Sequence, residues 1–455
     1  MNITSGRRYR SVAPIVLLAF VVAGCGGGKV WDYASTTETP KLPAQAVAGG
    51  QFVTVRFDLA KLQSSVPEQI ELPLPDKSSL VIVRSGFERH TNKGFTWRGK
   101  VKGDEYSIAT LSILDNVLVG DIVMSNGNMY RIDQIDDGIQ IIFALNPAAF
   151  PPEATPLTAS KPISVPMTIQ AATCAQDENT VEMLVVYTEK ACASAAHRSS
   201  CTPFARTKML AKIQQAEDET NTLFANSLIS PTVKIVHVQS AGDYADDAQT
   251  LQQNLDRLRL MGQEETDEQN VDTAYLDDIH AWRDQYGADV VTLITKATGD
   301  YDNQATEQDE GPACGLSTEL PGKFAWFEKD AFSVVPADCI VASFSFGHEL
   351  GHLMGADHDS DSSRAPTSLS GNRGYIEVQT PVNQDPWRTV MSENNDECMN
   401  AKKDVGCARI PYFSNRTVKK AGQDMGNVDA DNSHILGETI GTVAMFRQSL
   451  SCNAD

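Results

Sequence analysis

From residue 52 to about residue 145 apolar and polar positions alternate in short runs, at 95–101, 106–114, 117–124, 129–135 and 139–145. Lys102-Gly-Asp, Asn126-Gly-Asn and Asp136-Asp-Gly separate these runs. A period of two broken by residues that tolerate tight turns predicts an antiparallel β-meander. Pro147, Pro151, Pro152, Pro156, Pro162 and Pro166 follow. Prolines lack the N–H that a sheet or helix needs, so this stretch is predicted to be a linker that joins neither. Beyond it the period alternates between two and 3.6. Strands are predicted at 181–188, 232–238 and 290–295. Helices are predicted at 203–225 (Met209, Ile213, Ala216, Thr220 and Leu223 on one stripe), around Leu251, Leu255 and Leu258, at 272–286 before Gly287, at 340–354, and from Asp431 onward. Helices leading into buried strands predict a mixed α/β sheet.

The amino terminus changes the picture. Arg7, Arg8 and Arg10 precede an apolar run at 12–23, too short to span a bilayer, and Val22-Ala-Gly-Cys25 closes it. This predicts an export signal over 1–24, with Cys25 acylated and anchored in a lipid bilayer. A plain secretory signal is the competing reading. Gly26 after Cys25 points to the bacterial outer membrane or cell surface. Residues 25–50, rich in Gly, Thr, Pro and Ala, suit a flexible tether. The other eight cysteines all lie from Cys174 onward, an even set that in an exported chain implies disulfides. Proximity suggests Cys192–Cys201, Cys314–Cys339, Cys398–Cys407 and Cys174–Cys452. A net charge of −21 without a basic run excludes nucleic acid as a partner.

The chemistry concentrates in Ser345-Phe-Gly-His-Glu-Leu-Gly-His-Leu-Met-Gly-Ala-Asp-His-Asp359. On a helix His348 and His352 lie one turn apart on one face and can aim at one ion. Gly355 permits the left-handed turn that brings His358 back as a third ligand. Three imidazoles without a cysteine leave a fourth zinc position for water, whose pKa zinc lowers to about 7. Glu349 is the carboxylate that takes its proton. Asp300, Asp302, Asp309 and Glu310 form an acidic group for which Ca2+ and a plain solvated loop are both open, with no EF-hand spacing.

Across residues 181–446 the chain resembles the metzincin metalloproteases, whose signature is HExxHxxGxxH with a later Met-turn. Met391 in Thr389-Val-Met-Ser392 matches that methionine. Asp359, and Glu393 where other branches carry a tyrosine, resemble the reprolysin (adamalysin) branch, the bacterial peptidyl-Asp metallopeptidases included. The resemblance implies a catalytic domain over 174–455 with a twisted mixed sheet and an active-site helix. By position it implies an edge strand at Gly315 and Leu316 for extended substrate. It also implies a specificity-pocket wall at 410–414, where Tyr412 is either wall or core. Arg409 suits an acidic side chain, although a surface arginine is the plainer reading. The β-rich antiparallel region over 51–146 resembles a proregion that inhibits its own enzyme, joined by a linker over 147–173. It has no cysteine to cap zinc, so His90 and Asp104 are the candidates, beside the reading that both are ordinary surface residues. The expectation is therefore an exported, lipid-anchored zinc endopeptidase acting on protein or peptide. The alternatives are a surface adhesion protein with an inactive metzincin domain, and a zinc hydrolase acting on a non-peptide amide.

Overall fold

The computed structural model describes residues 29–449 except 37–38, 92–93, 136–137, 160–176, 231, 261–275, 277, 297–299, 304–307, 360–368, 382–383 and 404. The export signal, Cys25 and the pair Cys174–Cys452 fall outside the described residues.

The amino-terminal half is one antiparallel sheet of nine strands. They are β1 (Trp31–Tyr33), β2 (Phe52–Phe57), β3 (Gln69–Pro73), β4 (Ser79–Arg89), β5 (Phe95–Val101), β6 (Ile108–Leu114), β7 (Val117–Val123), β8 (Met129–Gln134) and β9 (Gln140–Leu145), with α1 (Leu59–Ser65) between β2 and β3. Their order is β1-β2-β9-β8-β7-β6-β5-β4-β3. The sheet curls until its edges meet, and the Trp31 indole donates to the Glu71 carbonyl at 2.5 Å. Alternation sends Trp97, Leu111, Ile122, Ile132 and Ile142 into the concave core. The tether expected over 25–50 is thus partly sheet. Val30 and Trp31 are buried, so pairing this short strand takes their apolar surface out of water.

The carboxy-terminal half holds a second sheet, ordered β10-β16-β17-β13-β11-β12. Its strands are β10 (Leu157–Thr158), β11 (Thr180–Tyr187), β12 (Thr232–Ser240), β13 (Val290–Thr295), β16 (Leu316–Glu319) and β17 (Phe332–Pro336). The hairpin β14 (Asp300–Asn303) and β15 (Gln308–Pro312) lies apart. β12, β11, β13 and β17 run parallel, while β16 is antiparallel to β17. The helices are α2 (Glu189–Ala195), α3 (Pro203–Asn226), α4 (Leu251–Leu260), α5 (Ile279–Tyr286), α6 (Ser345–Leu353), α7 (Asp396–Ala401) and α8 (Asn432–Val443). Thr202 caps α3 through Ala205 N–H at 3.2 Å, and Pro203 fills its first position. Small strands β18 (Ile376–Glu377), β19 (Trp387–Arg388) and β20 (Ala408–Arg409) form a sheet beside α6, and β21 (Asn415–Lys420) pairs β22 (Gln423–Met425).

The linker is the main departure from the sequence reading. Leu157 and Thr158 pair in parallel with Thr318 and Glu319 on the free edge of β16. Proline-rich chain was expected to stay outside any sheet, yet these two residues follow Pro156 and each carries the N–H that proline lacks. α6 also starts at Ser345 rather than residue 340. Ala342 and Phe344 take positive φ of 67° and 66°, and the Ser343 hydroxyl bonds the Cys339 carbonyl at 2.6 Å, so the chain turns sharply before the helix can begin. The disulfides Cys192–Cys201, Cys314–Cys339 and Cys398–Cys407 form as expected.

α3 joins the halves. One stripe of it, Met209, Ile213, Ala216 and Leu223, is buried in the same apolar core as Ile108, Val123, Ile141 and Phe143 of the first sheet. Its polar side is buried as well. Lys208 pairs with Asp133 at 2.7 Å, Gln214 donates to Ser112 Oγ at 2.8 Å, Gln215 donates to Asp121 at 2.8 Å, and His90 lies 3.3 Å from Asp218. Arg131 pairs with Asp121 at 2.7 Å within the sheet face that meets α3.

Candidate metal centre

α6 puts His348 and His352 on one face, and Gly355 at φ 93° turns the chain so that His358 joins them. The three Nε2 atoms lie 3.0, 3.0 and 3.1 Å from one another. His348 Nδ1 lies 2.9 Å from the Val390 carbonyl, to which it can only donate, and 2.7 Å from Arg409 Nη2, while His352 Nδ1–H donates to the Ala356 carbonyl at 2.8 Å. With those protons committed outward, the Nε2 lone pairs point at each other. Mutual repulsion of that kind is relieved by a shared cation, and a spacing near 3 Å suits Zn–N bonds of about 2.0–2.1 Å. Burial, then the neighbouring His352 and Arg409, holds His348 well below its ordinary pKa, which keeps it a neutral donor. The donor set therefore fits zinc.

Glu349 is fully buried and neither carboxylate oxygen has a hydrogen-bond partner among the described residues. Burial raises its pKa well above the carboxylate range and the Glu153 carboxylate adds to this, while the Ser317 hydroxyl and Arg409 oppose both. Gly315 makes room for it, because a Cβ there would overlap Glu349 Oε1. Met391 lies beneath α6, and a Cβ at Gly351 would come within 2.7 Å of its sulfur. Asp359 bonds Glu393 N–H at 3.0 Å and the Asn395 amide at 2.9 Å, so it ties down the loop after Met391 rather than joining the triad. Glu393 Oε1 is 3.6 Å from His358 Nε2.

Other candidates are elsewhere. His90 sits against α3, bonded to Thr96 and facing Asp218, and Asp104 holds the N–H groups of Tyr106 and Ser125 in turns. Neither reaches the triad: His90 is held by Thr96 and by Asp218 of α3, and Asp104 by the turns of its own sheet. Leu316 is buried in the core on the far side of the second sheet. Tyr412 packs with Trp387, Ile410 and Met425, so its ring is core, while its carbonyl accepts from Val390 N–H at 2.8 Å. The hairpin strands carrying Asp300, Asp302, Asp309 and Glu310 are described but their side chains are not; nothing supports Ca2+.

Arg409 is not a surface residue. Its Nε donates to the Val390 carbonyl at 2.9 Å, Nη1 donates to the Ser343 carbonyl at 2.7 Å, and Nη1 also reaches Glu153 Oε1 at 2.6 Å. Glu153 went unnoticed in the sequence. The available signal was that it is the only acidic residue between Pro147 and Pro166.

A curled antiparallel sheet seated on an α/β unit, with three buried histidines facing one point, defines a metallohydrolase. Residues 177–413 match Metallo-peptidase family M12, and the chain belongs to that family. It is a reprolysin-like zinc metalloendopeptidase. A peptidyl-Asp metalloendopeptidase of Stenotrophomonas maltophilia (strain K279a) is 27% identical over 417 residues, which cover 86% of each chain. One of Xanthomonas campestris pv. campestris is 26% identical over 326 residues, 70% of this chain and 66% of its own. One of Pseudomonas fragi is 36% identical over 112 residues, 24% of this chain and 64% of its own.

Proposed function

We propose that His348, His352 and His358 hold the zinc of this endopeptidase and that Glu349 is its general base and acid. The observation that carries this is the convergence of three Nε2 lone pairs next to a buried carboxylate with no partner of its own. Zinc bound there would polarise the scissile carbonyl and acidify water. Glu349 takes the proton of the attacking water and delivers it to the leaving amine, a role favoured by a carboxyl that burial lifts above the ordinary carboxylate range. Gly315 keeps the carboxylate free to turn between those two positions, and the edge of β16 aligns the peptide by backbone hydrogen bonds. The relatives carry the name peptidyl-Asp, and we extend to this chain a preference for a peptide bond beside an acidic residue.

The amino-terminal sheet acts as a proregion over 51–146. Two features support this: the segment after it lies on β16, and its contact with α3 combines an apolar stripe with buried ion pairs. Export and lipid anchoring through Cys25 rest on the sequence of 7–25. Cys25→Ala should move the protein from the membrane fraction to the soluble one.

The deciding test is Glu349→Ala. Zinc stoichiometry by metal analysis should stay at one, while hydrolysis of a denatured protein falls on the order of 10²–10⁴-fold. Unchanged hydrolysis would remove Glu349 from the reaction. The adhesion alternative has no observation in its favour, since the carboxylate an inactive relative is free to lose is present and placed beside the triad.

A further inference from the structure

Residues 151–158 do more than cross the molecule. Cys314 N–H donates to the Pro152 carbonyl at 2.8 Å and Ala154 N–H donates to the Gly315 carbonyl at 3.1 Å. These bonds lay the segment along the strand edge beside Glu349, and Leu157 and Thr158 continue it as β10. Glu153, between the two bonded residues, sends its side chain to the start of α6. There Oε1 accepts from Arg409 Nη1 at 2.6 Å and from the Ser345 hydroxyl at 2.7 Å. The Glu153 side chain is 3% exposed and that of Arg409 11%. Oε2 is buried with no hydrogen-bond partner among the described residues.

The surroundings are built for an anion. Arg388 and Arg409 stand directly opposite each other on β19 and β20, an arrangement that repels unless an acid lies close by. Burial and then Arg409 lower the pKa of Arg388 to about 10. Two carbonyls and β20 fix the Arg409 guanidinium before any ligand arrives, so an incoming carboxylate meets a preset partner. A cavity of 360 Å³, lined by Glu153, Ser343, Arg388, Glu393, Lys402 and Arg409 among others, continues behind Glu153.

We propose that Arg409 and Ser345 form the pocket that selects an acidic side chain of the substrate, and that Glu153 occupies this pocket as the chain's own inhibitory mimic. The proposal deepens the endopeptidase reading and rests on it. One charged contact then serves specificity and latency together. Release of residues 151–158 empties both the strand edge and the pocket.

The test uses the zinc-loaded full chain and two peptides that differ only by Asp or Asn beside the scissile bond. Glu153→Ala should raise kcat/KM on the Asp peptide on the order of 100-fold, and Glu153→Gln nearly as much, because Arg409 favours a carboxylate over an amide. Arg409→Gln should keep one zinc per chain and lower the Asp-over-Asn preference on the order of 100-fold or more. Hydrogen exchange at the Ala154 and Cys314 amides, read by mass spectrometry, should speed up in both Glu153→Ala and Arg409→Gln whether or not the enzyme turns over. Unchanged exchange in Glu153→Ala, or an undiminished Asp preference in Arg409→Gln, would overturn the proposal. Faster exchange in a zinc-loaded chain that cleaves neither peptide would sink the endopeptidase reading and take this proposal with it.

Discussion

At the scale of single residues the site depends on what is small as much as on what is charged. Gly315→Ala puts a methyl where Glu349 Oε1 now lies, and β16 cannot retreat because Leu316 is buried in the core behind it. The expected outcome is a kcat lower on the order of 100-fold with zinc content and thermal midpoint little changed, since a carboxylate displaced by about 1 Å costs that much in positioning. An equal fall in zinc content would mean that the strand, not the carboxylate, had moved. His348, Glu349, His352 and His358 were legible in the sequence because all four lie within eleven residues: helical spacing puts His348 and His352 on one face, and Gly355 marks the turn that returns His358. Gly315 was legible only as part of an edge strand. The pairing of Arg409 with Glu153 spans 256 positions, and nothing local in either segment names the other. Arginine taken alone is a surface residue by default, which is why the buried guanidinium came as a correction.

Elements were legible where one face is apolar and obscure where both faces are covered. Gly355 ends α6 as its position suggests. A Cβ there would sit at φ 93° and 2.5 Å from Leu369 Cδ1, so Gly355→Ala should cost about 1–3 kcal/mol in urea unfolding and weaken zinc retention by displacing His358. In α3 the apolar stripe showed in the sequence, but its polar side looks like an ordinary solvated face. Only the sheet that lands on it reveals otherwise. Glu217, held on its other flank against β12, shows what such burial costs a carboxyl. Burial pushes its pKa up to about 7, with the Ile235 N–H opposing and Asp218 adding. Its folded value lies above the ordinary 4.5, so between about pH 4.5 and 7 the folded state holds a proton that the unfolded chain has lost, and stability declines as pH rises through that window. Glu217→Gln keeps an oxygen for the Ile235 N–H, 2.8 Å away, and removes the charge. The variant should be more stable than the parent at pH 8, about equal at pH 4.5, and less sloped between, measured by urea midpoints. A parallel pH slope in both proteins would assign the effect to another group.

At the scale of the whole molecule the two halves share an apolar core and a set of buried ion pairs, and these make different demands when the halves part. The apolar contact favours staying together in water at any pH or salt. The pairs resist separation only while both partners are present, because each was desolvated to form. Lys208 and Asp133 are 2% and 3% exposed, and Asp133 also faces His197 at 3.8 Å. A single activating cut in the linker, between residues 160 and 174, lies outside both the shared core and these pairs and should therefore leave the amino-terminal sheet docked over α3. The two fragments are expected to co-elute on gel filtration and to remain nearly inactive until diluted or digested. Asp133→Ala strands the Lys208 ammonium in that interface, at a cost of about 3–5 kcal/mol, and should weaken association of the cut fragments by about 10²–10³-fold. Asp32→Ala, which breaks only the exposed pair with Lys29 at 3.7 Å, should leave the association unchanged. If cut Asp133→Ala fragments still co-elute at the dilution where the parent pair begins to separate, the ion pairs at α3 contribute nothing to docking. The shared apolar core would then have to hold the sheet in place by itself, and activation would require destruction of the sheet rather than its release.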